Sequence, residues 1–236
     1  MIRIRAFRAI DDLASCERYI EGHRSLLESY GLASIVGNDY SWKNNPGTYV
    51  IIVENTETGK TLGGTRIQIR DDNHPLPLED CLKDMDETIV QTVQEFSKEG
   101  TAEFCGLWNS REVAGLGIGS VFLVRAGVAR AGVAIAKYLN VKSLFALCAS
   151  YTLPIAQKAG FVVVSEVGEE GAFPYPNDSY RAIVAVNKNI IDLENAIENE
   201  KDAIIDLREN PMQERTEVGP RGETKIIYDL KIHSFE

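Results

Sequence analysis

Val113-Ala-Gly-Leu-Gly-Ile-Gly-Ser120 sets three glycines in eight residues, between a strand-like stretch (residues 102–109) and a long apolar helical stretch (residues 118–138). Glycines remove the side chains that would block a ligand, and the first amides of a helix have no intrahelical partners. Such a turn can hold a phosphate or pyrophosphate on its N–H groups, helped by the helix dipole. A tight strand-to-helix turn without a ligand is the other reading. Counting excludes two phosphate motifs. G-x-G-x-x-G begun at Gly115 needs glycine at 120 and meets Ser120; begun at Gly117 it needs glycine at 122 and meets Phe122. No Gly-Lys followed by Ser or Thr stands at the start of the helix, so a Walker loop is absent as well.

Composition narrows the classes further. A chain of 236 residues suits one domain with an extension, or two small domains. Hydrophobic residues make up 44%, which argues against wholesale disorder. The net charge of −10 argues against a nucleic-acid backbone or an anionic membrane as main partner. Cys16, Cys81, Cys105 and Cys148 are scattered, as are His23, His74 and His233, so neither a metal site nor a disulfide framework is expected. Met-Ile-Arg-Ile-Arg lacks the apolar core of a signal peptide, and no run has the length of a membrane span. A cytoplasmic setting is the expectation.

Working outward from the glycines, residues 2–7 alternate as a strand and Asp11 or Asp12 starts a helix to about residue 30. Residues 49–54 and 62–70 form a hairpin around Asn55-Thr56-Glu57-Thr58-Gly59-Lys60. His74-Pro75-Leu76-Pro77 reads as a linker and residues 78–98 as one helix ended by Gly100. Beyond the apolar helix, strands are expected at 143–149, 162–167 and 180–186, with a short helix at 152–159. Residues 189–209 read as an acidic amphipathic helix with Ile190, Leu193, Ile197, Ile204 and Leu207 on one face. A polar segment then leads to a last strand at 224–233.

The resulting order, β-α-β-β-α-β-α-β-α-β-β with the glycine turn after a central strand, resembles the GNAT superfamily of acyltransferases. Three stretches carry the likeness: Val113 to Ser120, Ala159-Gly-Phe161 after a short helix, and Ala102-Glu-Phe-Cys105. Within that superfamily the chain is similar to acyl-homoserine-lactone synthases and N-acyl amino acid synthases. Gly63-Gly-Thr-Arg66-Ile with the proline-containing loop matches one part of their pattern, and Ala102-Glu103-Phe-Cys105-Gly106 another. Gly106 stands where those enzymes carry arginine, and Cys105 where they carry serine. The likeness implies an α/β (α+β) fold with a mixed, mostly antiparallel central sheet flanked by helices. The acyltransferase domain would span residues 1–187, with residues 188–236 as a helix-strand extension packed on it.

The same likeness implies a site. The loop from Ala114 and Gly115 through Leu116, Gly117, Ile118, Gly119 and Ser120 would grip the pyrophosphate of acetyl-CoA or a longer acyl-CoA, as co-substrate and without a metal. Ala114 replaces the basic or amide side chain usual there. Leu107, Trp108 and Asn109 would line the cofactor, with a backbone N–H near Leu107 or Trp108 stabilising the oxyanion. Glu103 matches the carboxylate base; a structural carboxylate is its alternative. The usual leaving-group tyrosine is replaced by Ala156, and Tyr151 is the available substitute. Arg66 is placed to hold a substrate carboxylate. Phe173 and Tyr175, between prolines, would wall the acceptor pocket. Cys105 as a nucleophile lacks a nearby histidine signal.

The expected activity is transfer of an acyl group from acyl-CoA to an amine of a small molecule, by direct attack in a ternary complex. A non-catalytic acyl-CoA-binding or protein-interaction module is the alternative. Neither nucleic acid nor a membrane span is expected, and a homodimer is left open.

Overall fold

Alternating side chains in Ile2–Arg8 (β1) send Ile2, Ile4 and Ala6 to one face of a sheet and Arg3 and Arg5 to the other. The computed structural model describes residues 1–32, 39–115, 125–219 and 222–232. Among them, β1 is joined by Thr48–Asn55 (β2), Thr61–Ile69 (β3), Thr101–Asn109 (β4), Ser143–Ala149 (β5), Val162–Val163 (β6), Ala172–Pro174 (β7), Arg181–Asn187 (β8), Met212–Gly219 (β9) and Gly222–Asp229 (β10). They form one sheet in the order β6-β8-β5-β4-β3-β2-β1-β10-β9, with β7 also on β8. Only β4–β5 and β1–β10 run parallel. The sheet is therefore mixed and mostly antiparallel, as expected.

Helices cover both faces. One face carries Leu13–Ser29 (α1), Pro77–Leu82 (α2) and Thr88–Ser97 (α3), packed on Val50, Ile52 and Phe145. The other carries the π-helical turn Arg125–Gly132, which runs into Val133–Ala136, and Leu153–Lys158 and Glu198–Glu209, packed on Ile51, Val53, Phe104 and Ala146. Short Glu112–Gly115 follows β4. Asp12 starts α1, its carboxylate accepting from the Ser15 N–H at 3.0 Å.

Four expectations are corrected. Residues 78–98 are two helices, because Asp86 restarts the chain: it accepts from the Thr88 N–H at 3.0 Å and from the Gly168 N–H at 2.7 Å. The acidic helix begins at Glu198, not at 189. Asn189 turns the chain onto the amides of Ile191 and Asp192, and Leu193 adopts a left-handed φ of 54°. The described part of the long apolar helix begins with a π-helical turn. The polar segment after residue 211 is itself a strand, β9, hairpinned to β10. Its alternation suits an edge strand with one wet face and one polar face that meets the acidic helix through Gln213 and Arg215.

The tail thus prolongs the sheet beside β1. It is also tied from within: Arg130 donates from Nε to Glu200 at 2.7 Å and from Nη1 to Glu217 at 2.5 Å, with all three residues buried. Among the described residues no helix is long and apolar enough to cross a membrane, and no His, Cys, Asp and Glu group is arranged to hold a metal ion.

Candidate active site

β4 is the strand on which the site is built. Its pairing with β5 covers Thr101 to Phe104 and stops there, although both strands continue, to Asn109 and to Ala149. On its other edge the register with β3 slips: Arg66 faces Cys105 and Gly64 faces Trp108, so Gly106 and Leu107 stand opposite the single residue Thr65. This is a β-bulge, and Gly106 at φ +64° supplies the left-handed residue it needs. A bulged strand bends, which moves β4 away from β5.

The gap that opens is a cleft on the face of the π-helical turn, with about 540 Å³ of unfilled space, part of it open to solvent. Phe104, Leu107, Ala129, Ala146, Cys148 and Ile155 are among its walls, and Thr65 and Gly106 line it too. Its walls are mostly apolar. Ala156 is one of them, so the position that lacks the usual tyrosine does face the cleft. Phe104 reaches the floor because Gly132 lets its ring in: a Cβ on Gly132 would lie 1.9 Å from the ring.

Two polar side chains near the bulge, Glu103 of β4 and Arg66 of β3, point to the opposite face, toward α1 and α2. Glu103 is buried and accepts from the Leu78 N–H at 2.8 Å. Burial pushes its carboxyl up to about 8, against the pull of that N–H and of Arg66. A carboxyl so placed can take up and give back a proton near neutral pH. Arg66 lies over the Trp42 ring at 4.7 Å and donates from Nε to the Cys105 sulfur at 3.1 Å. Its Nη1 is closed off from solvent and has no hydrogen-bond partner among the described residues. A charged donor of that kind is suited to an anionic ligand group.

Cys105 is pushed up to about 12 by burial, so it stays a thiol and supplies no nucleophile. His23, beside Tyr19, is pulled down to about 4 by burial and by Arg66, which keeps it neutral.

The expected residues divide as follows. Glu103 and Arg66 come together on one face, and Leu107 lines the cleft on the other. Trp108 turns its side chain under α1 instead, where a Cβ on Gly22 would lie 2.0 Å from the indole. Asn109 closes the strand opposite Gly63. Tyr175 meets Cys81 through its hydroxyl at 3.4 Å, and Phe173 is buried in the core beneath α2 and α3. Tyr151 is 81% exposed and is not brought to the cleft. Ala114 and Gly115 end the short helix after β4, and Leu116, Gly117, Ile118, Gly119 and Ser120 lie outside the described residues. Residues not anticipated are Tyr19 and Thr65, which hold the bulge from its two faces, and the small wall residues Ala129 and Ala146.

No protein-family model and no curated protein matches the sequence. Solved structures do match. FeeM, an N-acyl amino acid synthase from uncultured soil microbes, superposes with a TM-score of 0.60 and 14% identity, over 85% of this chain and 98% of that one. TofI, solved in a ternary complex with an inhibitor and MTA, gives 0.55 and 10%, over 84% and 99%. BjaI, a CoA-dependent acyl-homoserine lactone synthase solved with SAM and isopentyl-CoA, gives 0.50 and 12%, over 89% and 90%. Likeness at such identities speaks for the fold and leaves the reaction open. Sheet order, bulge, parted strands and these superpositions agree that the chain has the GNAT acyltransferase fold, near the form found in N-acyl amino acid and acyl-homoserine lactone synthases.

Proposed function

We propose that the chain is an N-acyltransferase that moves an acyl group from acyl-CoA to the amine of a small molecule bearing a carboxylate. The observation that carries this reading is the end of β4–β5 pairing at Phe104 and Ala146, with an apolar cleft in the gap. The pantetheine arm and acyl group would enter there, and the glycines from Gly115 to Gly119 would hold the pyrophosphate.

The acceptor would approach from the α1 and α2 face. Arg66 Nη1 would take its carboxylate, and Glu103 would remove a proton from the attacking nitrogen, directly or through water. The nitrogen bonds to the thioester carbon, and the carbonyl oxygen carries the negative charge until the C–S bond breaks. Glu103 returns to solvent the proton it took from the amine, while CoA leaves as a thiolate and takes up a proton. Tyr151 would need to swing in from solvent to deliver it, so solvent is the simpler donor. The work of FeeM and BjaI, as their descriptions give it, supports this class of reaction.

CoA thiol release tests the reading, with acetyl-CoA and longer acyl-CoA offered against free amino acids and simple amines. Release that depends on an amino acid acceptor is the expected result. Tight acyl-CoA binding with no release for any acceptor would replace the enzyme with a non-catalytic binding module.

A further inference from the structure

The bulge in β4 is held by two side chains from opposite faces of the sheet. From α1, the Tyr19 hydroxyl donates to the Gly106 carbonyl oxygen in a very short contact across 87 residues of sequence. From β3, Thr65 Oγ1 donates to the Cys105 carbonyl oxygen at 3.1 Å. The Tyr19 ring is fixed in turn by Trp42 and Trp108, with ring centroids 5.7 and 6.3 Å away. Burial raises its hydroxyl well above the ordinary tyrosine range, so the proton it donates stays in place.

A trans peptide points its C=O and N–H in opposite directions. With the Gly106 carbonyl drawn out of the sheet toward α1, the N–H of the same peptide, that of Leu107, is turned toward the other face. The cleft lies on that face, and Leu107 is one of its walls. We propose that Tyr19 is a positioning residue: its hydroxyl fixes the Gly106–Leu107 peptide so that the Leu107 N–H meets the thioester carbonyl and receives its developing negative charge.

This inference rests on the acyl-CoA reading above. It also accounts for Gly106 standing where the similar synthases carry arginine. A Cβ at 106 would lie 2.4 Å from the Tyr19 hydroxyl, so the clamp and a side chain cannot share the space.

The test separates a carbonyl contact from general packing. Affinities of wild type and Tyr19→Phe are measured by calorimetry for acetyl-CoA and for S-ethyl-CoA, a thioether of similar size without the carbonyl. The octanoyl and S-octyl pair is run in parallel. Wild type is expected to prefer the thioester by roughly 2- to 10-fold, the range of one net hydrogen bond. Tyr19→Phe is expected to lose that preference while its thioether affinity stays unchanged. An unchanged preference, or an equal loss for both ligands, overturns the positioning role and leaves the acyl-CoA reading intact. Wild type that binds none of the four overturns that reading and this inference together.

A second measurement needs no variant. In wild type labelled with ¹⁵N-leucine, the Leu107 amide proton should shift downfield with the thioester and not with the thioether. An unmoved signal overturns the proposal.

Discussion

Glu103 is the residue whose chemistry and burial pull in different directions. It is most easily kept in the fold as a neutral acid, yet a base must be ionised. Turnover should therefore climb with pH and level off above about 8, where the carboxyl gives up its proton. Stability should move the other way. The folded carboxyl holds its proton to a higher pH than the unfolded one, whose value is about 4.3. Rising pH between those values strips the unfolded chain first and favours it. Glu103→Gln keeps the shape without the charge. Thermal melts should show it gaining on wild type as pH rises from 5 to 8, and thiol-release assays should show turnover down roughly 10²- to 10⁴-fold. Normal turnover in that variant would remove Glu103 from the base role. The sequence pointed to Arg66 and Glu103 through the likeness of two stretches, now seen as β3 and β4, to a family pattern. It gave no hint of Tyr19, because a bond across 87 residues leaves no trace in local spacing.

At the scale of elements, periodicity and turn residues located the strands and helices well wherever one local preference ruled. The Asn55 to Lys60 turn does join β2 to β3. Expectation failed where a side chain overrode the hydrophobic pattern: Asp86 divided one expected helix, and the Asn189 turn with left-handed Leu193 shortened another. β9 escaped notice because its covered face carries Gln213, Arg215 and Glu217, which leave no apolar alternation to find. Gly132 permits close approach of the Phe104 ring to the helix. Gly132→Ala should push that ring into the cleft. A loss of about 1–3 kcal/mol in urea denaturation is expected from the overpacking, together with a shift in selectivity toward shorter acyl groups. Unaltered stability would mean that the helix yields instead.

For the whole molecule, the fold could be named from the order of its strands and glycines, whereas the joining of the tail could not. Arg130, on the helix behind the cleft, is buried between Glu200 of the acidic helix and Glu217 of β9. One guanidinium thus serves two carboxylates, and Tyr228 donates to the second of them at 3.0 Å. Arg130→Met would remove the buried cation between Glu200 and Glu217, leaving Glu217 with Arg215 at 3.3 Å. The expected cost is roughly 3–5 kcal/mol in chemical denaturation. A loss below 1 kcal/mol would show that the tail contributes little to the fold of the rest.

The parted strands have a kinetic meaning as well. The cleft and the side chains of Glu103 and Arg66 lie on opposite faces of one sheet, so on the proposed reading donor and acceptor would approach by separate routes. Neither would have to arrive first, and neither would block the other's exit. On that reading no compulsory order of addition is expected, and spent carrier and finished amide would depart independently.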